Sequence, residues 1–252
     1  MGSDLSLRHA ELKAGRALEH PDNLKRELQE YCDANPCSVT LYSKPEIGRR
    51  FLRVDLRDPS DGVYLLVGDF AHNLRSVLDH IVYSLVVKTT GELPDSRAIQ
   101  WPVLTIADQK TFARQTKGLP DEAALFIESL QPYHAGSGTE FKRHPIWQLH
   151  RLDIVDKHHR VAINEIRLNT SFPTLSQSSD FTTKVGEGYL ELSFPIDAPS
   201  VPMHFNPKPE IRFGASEEDL FLTIERLEEI YRFVSLDVLP RFAKFLRQSA
   251  VG

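Results

Sequence analysis

The chain has 252 residues, 41% of them hydrophobic and 26% charged, an ordinary globular balance that suits one large domain or two small ones. Thirty Lys and Arg against 35 Asp and Glu leave a net charge of −5, which excludes a strongly basic surface for nucleic-acid backbones while leaving room for a local basic patch. No apolar run nears the roughly 18 residues of a membrane span, the first residues lack the layout of a secretory signal, and Cys32 and Cys37 have no second pair to complete a zinc site. A cytoplasmic protein with reduced thiols is expected.

Residues 5–34 follow a helical rhythm of Leu, Ala, Glu, Lys and Arg, interrupted at His20-Pro21-Asp22. Asp22 is placed to cap a second segment, whose Leu24, Leu28 and Tyr31 share a face and which Asn35-Pro36 ends. A hairpin inserted near 37–58 comes next, because Leu52, Val54 and Leu56 alternate with Arg53, Asp55 and Arg57. A long helix over 63–88 stops at Thr89-Thr90-Gly91. A connector with Trp101-Pro102-Val103 then leads to short helices near 107–117 and 120–130, the second opened by Pro120. "LQPYHAGSGTE" reads as a surface loop, and His144-Pro145 opens a helix over 145–160.

Strand-forming alternation dominates 161–214, around a Ser/Thr-rich link at 169–180. Ser216, followed by three acids, is expected to cap a C-terminal helix over 216–248 that Pro240 kinks or divides. Long helices and strand blocks without a βαβ alternation indicate an α+β fold in a single domain, 1–252. The expected architecture is a bundle of the N-terminal, 63–88, 145–160 and C-terminal helices, packed beside a mainly antiparallel sheet.

The stretch "GDFAHNLRSVLDHIVYSL", Gly68 to Leu85, carries the chemistry. At about 100° per residue, Phe70, Leu74, Val77, Leu78, Ile81 and Leu85 gather on a core face. Opposite run two neighbouring columns: His72, Arg75 and Asp79 in one, Asn73, Ser76 and His80 in the other, with Asp69 just above. A solvated helix face usually carries Lys and Glu, and this one has neither between Gly68 and Tyr83. Short, stiff polar groups lose little entropy when fixed. A structural network with Arg75 and Asp79 paired at i, i+4 is the competing explanation.

In "HPIWQLHRLDIVDKHHR" the apolar residues point almost all round the helix, yet His150, Asp153 and Lys157 form a polar stripe with Asp156, His158 and His159 at its end. A buried helix cannot carry such a stripe without partners. The stripe on the 63–88 helix is the expected partner, so that Asn73, Arg75, Asp79 and His80 share one pocket with the 156–159 segment. His9, His20 and His134 have no companions in the sequence and are expected at the surface. Trp101 and Trp147 are expected in the core.

Arg75 and His80, in "RSVLDH" with the polar Ser76 after the arginine, fit R-x4-H, which resembles the motif of HEPN-type proteins, helical domains found in many ribonuclease toxins and defence nucleases. The resemblance covers one helix. It implies RNA as a partner, a homodimer, and Arg75 and His80 as a catalytic pair that needs no cofactor. His80 would take the 2′-hydroxyl proton while Arg75 offsets charge building on the phosphate. His72, Asn73, Asp79, Asp156, Lys157 and His158 would orient them or bind ligand.

A second reading is a metal-dependent hydrolase with ligands drawn from Asp69, His72, His80, His150 and Asp153, although no H-x3-H, HExxH or ExxH spacing occurs. A third is a binding module without chemistry. No G-x-S-x-G elbow and no phosphate-binding glycine loop is present. More broadly, the Gly68–Val86 stretch, "LQPY" and "HPIWQLHRLDIVDKHHR" resemble a set of uncharacterised bacterial proteins sharing GD..HNLRS.LDH and DKHR signatures. That resemblance spans most of 60–160 and implies one module, with no activity attached.

Overall fold

The computed structural model describes residues 7–92, 99–136, 138–158, 162–163, 182–186, 188–198, 213–215 and 220–247. Its helices are α1 (Arg8–Asp33), α2 (Asp61–Thr90), α3 (Gln109–Gln115), α4 (Asp121–Ser129), α5 (Pro145–His158), α6 (Ile224–Arg232) and α7 (Leu239–Arg247). α2 is the axis of the bundle and packs on α1, α5 and α7. Its Phe70, Leu74, Val77, Leu78, Ile81 and Leu85 are all sealed from solvent. Each such side chain contributes about 1.5–3 kcal/mol of burial free energy. Gly91, at φ 72°, closes α2 by donating its N–H to the Val87 carbonyl.

The expected break at His20-Pro21-Asp22 is absent. α1 runs through it as one helix with Pro21 inside. Proline removes one helical hydrogen bond, but His20 and Pro21 are buried, and Ala10, Ala14, Ala17, Leu24 and Leu28 bury a continuous stripe in the core. Tertiary packing overrides the local breaker, and Asp22 sits mid-helix rather than at a cap.

The hairpin forms as read. β1 (Cys37–Lys44) pairs with β2 (Arg49–Leu56) around a 3-10 turn at Pro45–Ile47, with Gly48 left-handed at φ 66°. β3 is Ala162–Ile163, β4 Thr182–Gly186, β5 Tyr189–Pro195, β6 Phe213–Ala215 and β7 Leu220–Leu222. One sheet has the order β1-β2-β5-β4 and the other β3-β6-β7, every described pairing being antiparallel. Leu52, Leu192 and Phe194 form a small core of the four-stranded sheet, apart from the main one. Together these elements give the α+β bundle-and-sheet architecture read from the sequence.

One expectation near the C-terminus needs correction. Leu220–Leu222 is a strand, and the helix starts only at Ile224, where the Thr223 hydroxyl accepts the Arg226 N–H at 3.3 Å. The apolar Leu220 and Leu222 satisfy a strand alternation as well as a helical one, and pairing with β6 decides between them. The C-terminal helix changes form just before Pro240: a π-helical stretch, Phe233–Val238, lies between α6 and α7, and Pro240 sits in the first turn of α7. The loop after α4 contains two 3-10 turns, Pro132–Ala135 and Glu140–Arg143. Ser216, His159 and the link at 169–180 lie outside the described residues.

Candidate functional site

α5 is buried nearly all round, through Ile146, Trp147, Leu149, Leu152 and Val155. Pro145 starts it, and the Ile146 N–H donates to His144 Nδ1 at 3.3 Å. Burial, with Arg226 nearby, pushes the His144 pKa down to about 4, so the ring is neutral and free to accept.

α5 lies antiparallel to α2, and their polar residues meet in rungs. At the top Asp156 sits over Gly68; a Cβ on that glycine would lie 2.1 Å from Asp156 Oδ1. One turn down, His72 Nδ1 is 3.4 Å from Asp153 Oδ1, just outside hydrogen-bond geometry, while Lys157 Nζ bonds Asp153 Oδ2 at 2.6 Å. The next rung is Arg75 and His150: burial, then the Arg75 charge, push the His150 pKa down to about 4. At the bottom Arg75 donates to Asp79 Oδ1 at 2.7 Å and to the Trp101 carbonyl at 3.0 Å, and Asp79 accepts the Trp101 N–H at 2.9 Å.

The second rung is the chemically open one. The Asp153 side chain is 5% exposed and that of His72 54% exposed, so a buried carboxylate faces a histidine whose ring reaches solvent. Asp153 Oδ1 has no hydrogen-bond partner. Asp156 lies close by, its carboxyl held above the ordinary range by desolvation and by the neighbouring charges of Asp153 and Asp69. Such a set can hold and move a proton.

The bottom rung turns toward the protein's own backbone. Arg75 and Asp79 clasp the Trp101 segment, whose buried indole packs edge-on to Phe242 at 5.6 Å. Gln131 of "LQPY" holds the same segment, its buried Oε1 accepting the Leu104 N–H at 3.0 Å. Trp101 and Trp147 are core residues, as expected.

The expected single pocket is therefore split. His72, Arg75 and Asp79 meet α5 or the Trp101 segment, but the neighbouring column turns to α1. Asn73 donates to the Asp69 carbonyl at 2.8 Å, accepts from Lys13 Nζ at 3.1 Å and approaches His20 Nε2 at 3.4 Å. His80 stacks on His9, ring centroids 5.9 Å apart. The three histidines without companions in sequence acquire them in space: His9 at His80, His20 buried beside Asn73, and His134 with Glu128 at 2.9 Å.

The metal-ligand candidates are split likewise, since His80 lies toward α1 while His150 and Asp153 lie on α5. Among the described residues no group of three His, Cys, Asp or Glu side chains is arranged to hold a metal ion. Lys157 is in place beside Asp153, and His158 is the last described residue of α5. What the sequence reading lacked was Gly68, whose missing side chain lets Asp156 approach, and the pairing of Asp153, already placed on the polar stripe, with His72. A glycine inside a strongly helical pattern was the available signal for the first.

No protein-family model matches the chain, and neither does any curated protein or solved structure.

Proposed function

We propose that the α2–α5 seam is the acid–base centre of a metal-independent hydrolase. His72 moves the proton, Asp153 positions it, and Asp156 is a second carboxyl whose hold on a proton is raised by desolvation and by Asp153 and Asp69. The observation that carries this reading is the sealed Asp153 oxygen, without a hydrogen bond, 3.4 Å from Nδ1 of a half-exposed histidine. Turning Nδ1–H toward Asp153 leaves the Nε2 lone pair as the base for an attacking water. This replaces the pairing of Arg75 with His80, because the Arg75 guanidinium is engaged by Asp79 and the Trp101 carbonyl while His80 lies on the α1 side.

The charge at the seam narrows the substrate. Asp69, Asp153 and Asp156 outnumber Lys157, so a neutral scissile group such as a carboxylic ester suits the site better than an RNA phosphodiester, which three carboxylates would repel. The engagement of Arg75 within the protein also favours a second reading, a binding module in which the rungs only hold α2 to α5.

The test is turnover of 4-nitrophenyl esters and of total RNA by wild type, His72→Gln, Asp153→Asn and His80→Gln, with a chelator present. Ester turnover that survives the chelator and His80→Gln but drops at least tenfold in the other two variants supports the acid–base centre, a loss within the usual range for a general base. Equal turnover by His72→Gln removes it. RNA cleavage lost in His80→Gln would restore the R-x4-H reading.

A further inference from the structure

We infer that the α1–α2 face formed by His9, Lys13, Asn73 and His80 is an anion site that takes the phosphoryl group of a small phosphomonoester. It lies on the opposite flank of α2's polar surface from the acid–base seam, and it stands whether or not that seam is catalytic. Lys13 reaches across from α1 to a neutral acceptor, Asn73 Oδ1, at 3.1 Å. Among the described residues no carboxylate lies within ion-pair distance of its ammonium. An ammonium has three donors, so two remain for a ligand.

His9 and His80 stack at 5.9 Å between centroids, tilted by 26°, and the Lys13 charge is felt at His80. Like charges gathered this way repel one another until an anion sits among them. The His80 pKa is depressed accordingly, first by burial and then by His9 and Lys13, with only Asp79 acting the other way. Asp79 itself is turned to Arg75 and the Trp101 N–H. Asn73 keeps its amide oxygen toward Lys13 because its nitrogen is committed to the Asp69 carbonyl.

The cluster is compact. It comprises one lysine and two histidines from two helices, with no row of cations leading away, on a chain of net charge −5. That fits one tetrahedral dianion rather than a polynucleotide, whose binding depends on many backbone contacts.

The experiment follows the His9 and His80 imidazole resonances of the full chain by NMR during titration with inorganic phosphate, adenosine monophosphate and a short single-stranded RNA. Saturable shifts with phosphate and the monophosphate are expected. Lys13→Gln should weaken both by about tenfold, the effect of losing one charged hydrogen bond. Arg16→Gln, which alters an exposed arginine paired to Glu19 on the same helix, should leave them unchanged. No saturable shift with either small ligand, binding by RNA alone, or equal weakening by Arg16→Gln would each overturn the assignment.

Discussion

The Asp156 carboxylate rests on the bare backbone of Gly68, so near that the first carbon of any side chain there would fall 2.1 Å from Oδ1 and 2.5 Å from Cγ. Gly68 is helical, so a side chain there contests space rather than backbone freedom. Gly68→Ala should turn the Asp156 carboxylate away with little net change in stability, because the colliding atoms end a flexible, exposed side chain and alanine favours a helix interior by about 1 kcal/mol. In an Asp156→Ala background the same substitution meets none of those atoms and should stabilise by the full amount, about 1 kcal/mol. Urea denaturation of both single variants and the double variant measures the coupling. Additive effects would show that the two residues do not meet.

Arg75 and Asp79 are a clasp on the Trp101 segment. Arg75→Ala leaves the Trp101 carbonyl and the Asp79 carboxylate without their partner and should cost about 2–3 kcal/mol, the range for hydrogen bonds to charged groups. Asp79→Asn keeps an acceptor for the Trp101 N–H and should cost less, about 1 kcal/mol. Thermal melts of the two variants check the order. An Arg75→Ala protein as stable as wild type would return the guanidinium to the list of groups available for substrate.

His144 and His150 stay neutral in the folded chain to about pH 4. An unfolded histidine titrates near 6.5. Between those values the unfolded chain binds protons that the folded chain refuses, so stability is fully present above about 6.5 and falls as pH drops toward 4. His20 and His80, also lowered by burial, act in the same direction. Asp156 acts oppositely, because its raised pKa makes the folded chain take its proton first. Urea midpoints should therefore decline steadily from pH 7 to pH 4.5. His144→Asn, which keeps an acceptor for the Ile146 N–H, should flatten part of that decline; an unchanged slope would contradict a neutral buried ring.

The helices that make the site were legible because their apolar spacing is strong: the 63–88 helix appears as α2 and the 145–160 helix as α5, each within about two residues. The split of α2's polar residues into two columns was legible too, from helical geometry alone. Where each column points was not. Columns separated by about 100° face different neighbours, and only the packing of α1 against α2 shows that Asn73 and His80 belong with His9, Lys13 and His20. Pro21 misled for the opposite reason. It is a local signal of about 3 kcal/mol or more, which burial of a long apolar stripe outweighs. Leu220–Leu222 shows a third limit, since a short apolar run has no decisive period until a partner strand claims it.

The account rests on the coupling of His72 to Asp153, and the ring's tautomer reports it directly. Nitrogen-15 NMR of the His72 imidazole at a pH where the ring is neutral should find the proton on Nδ1, directed at Asp153, with Nε2 bare, and Asp153→Asn should abolish that preference. A neutral His72 carrying its proton on Nε2 in the wild-type protein would contradict the acid–base centre.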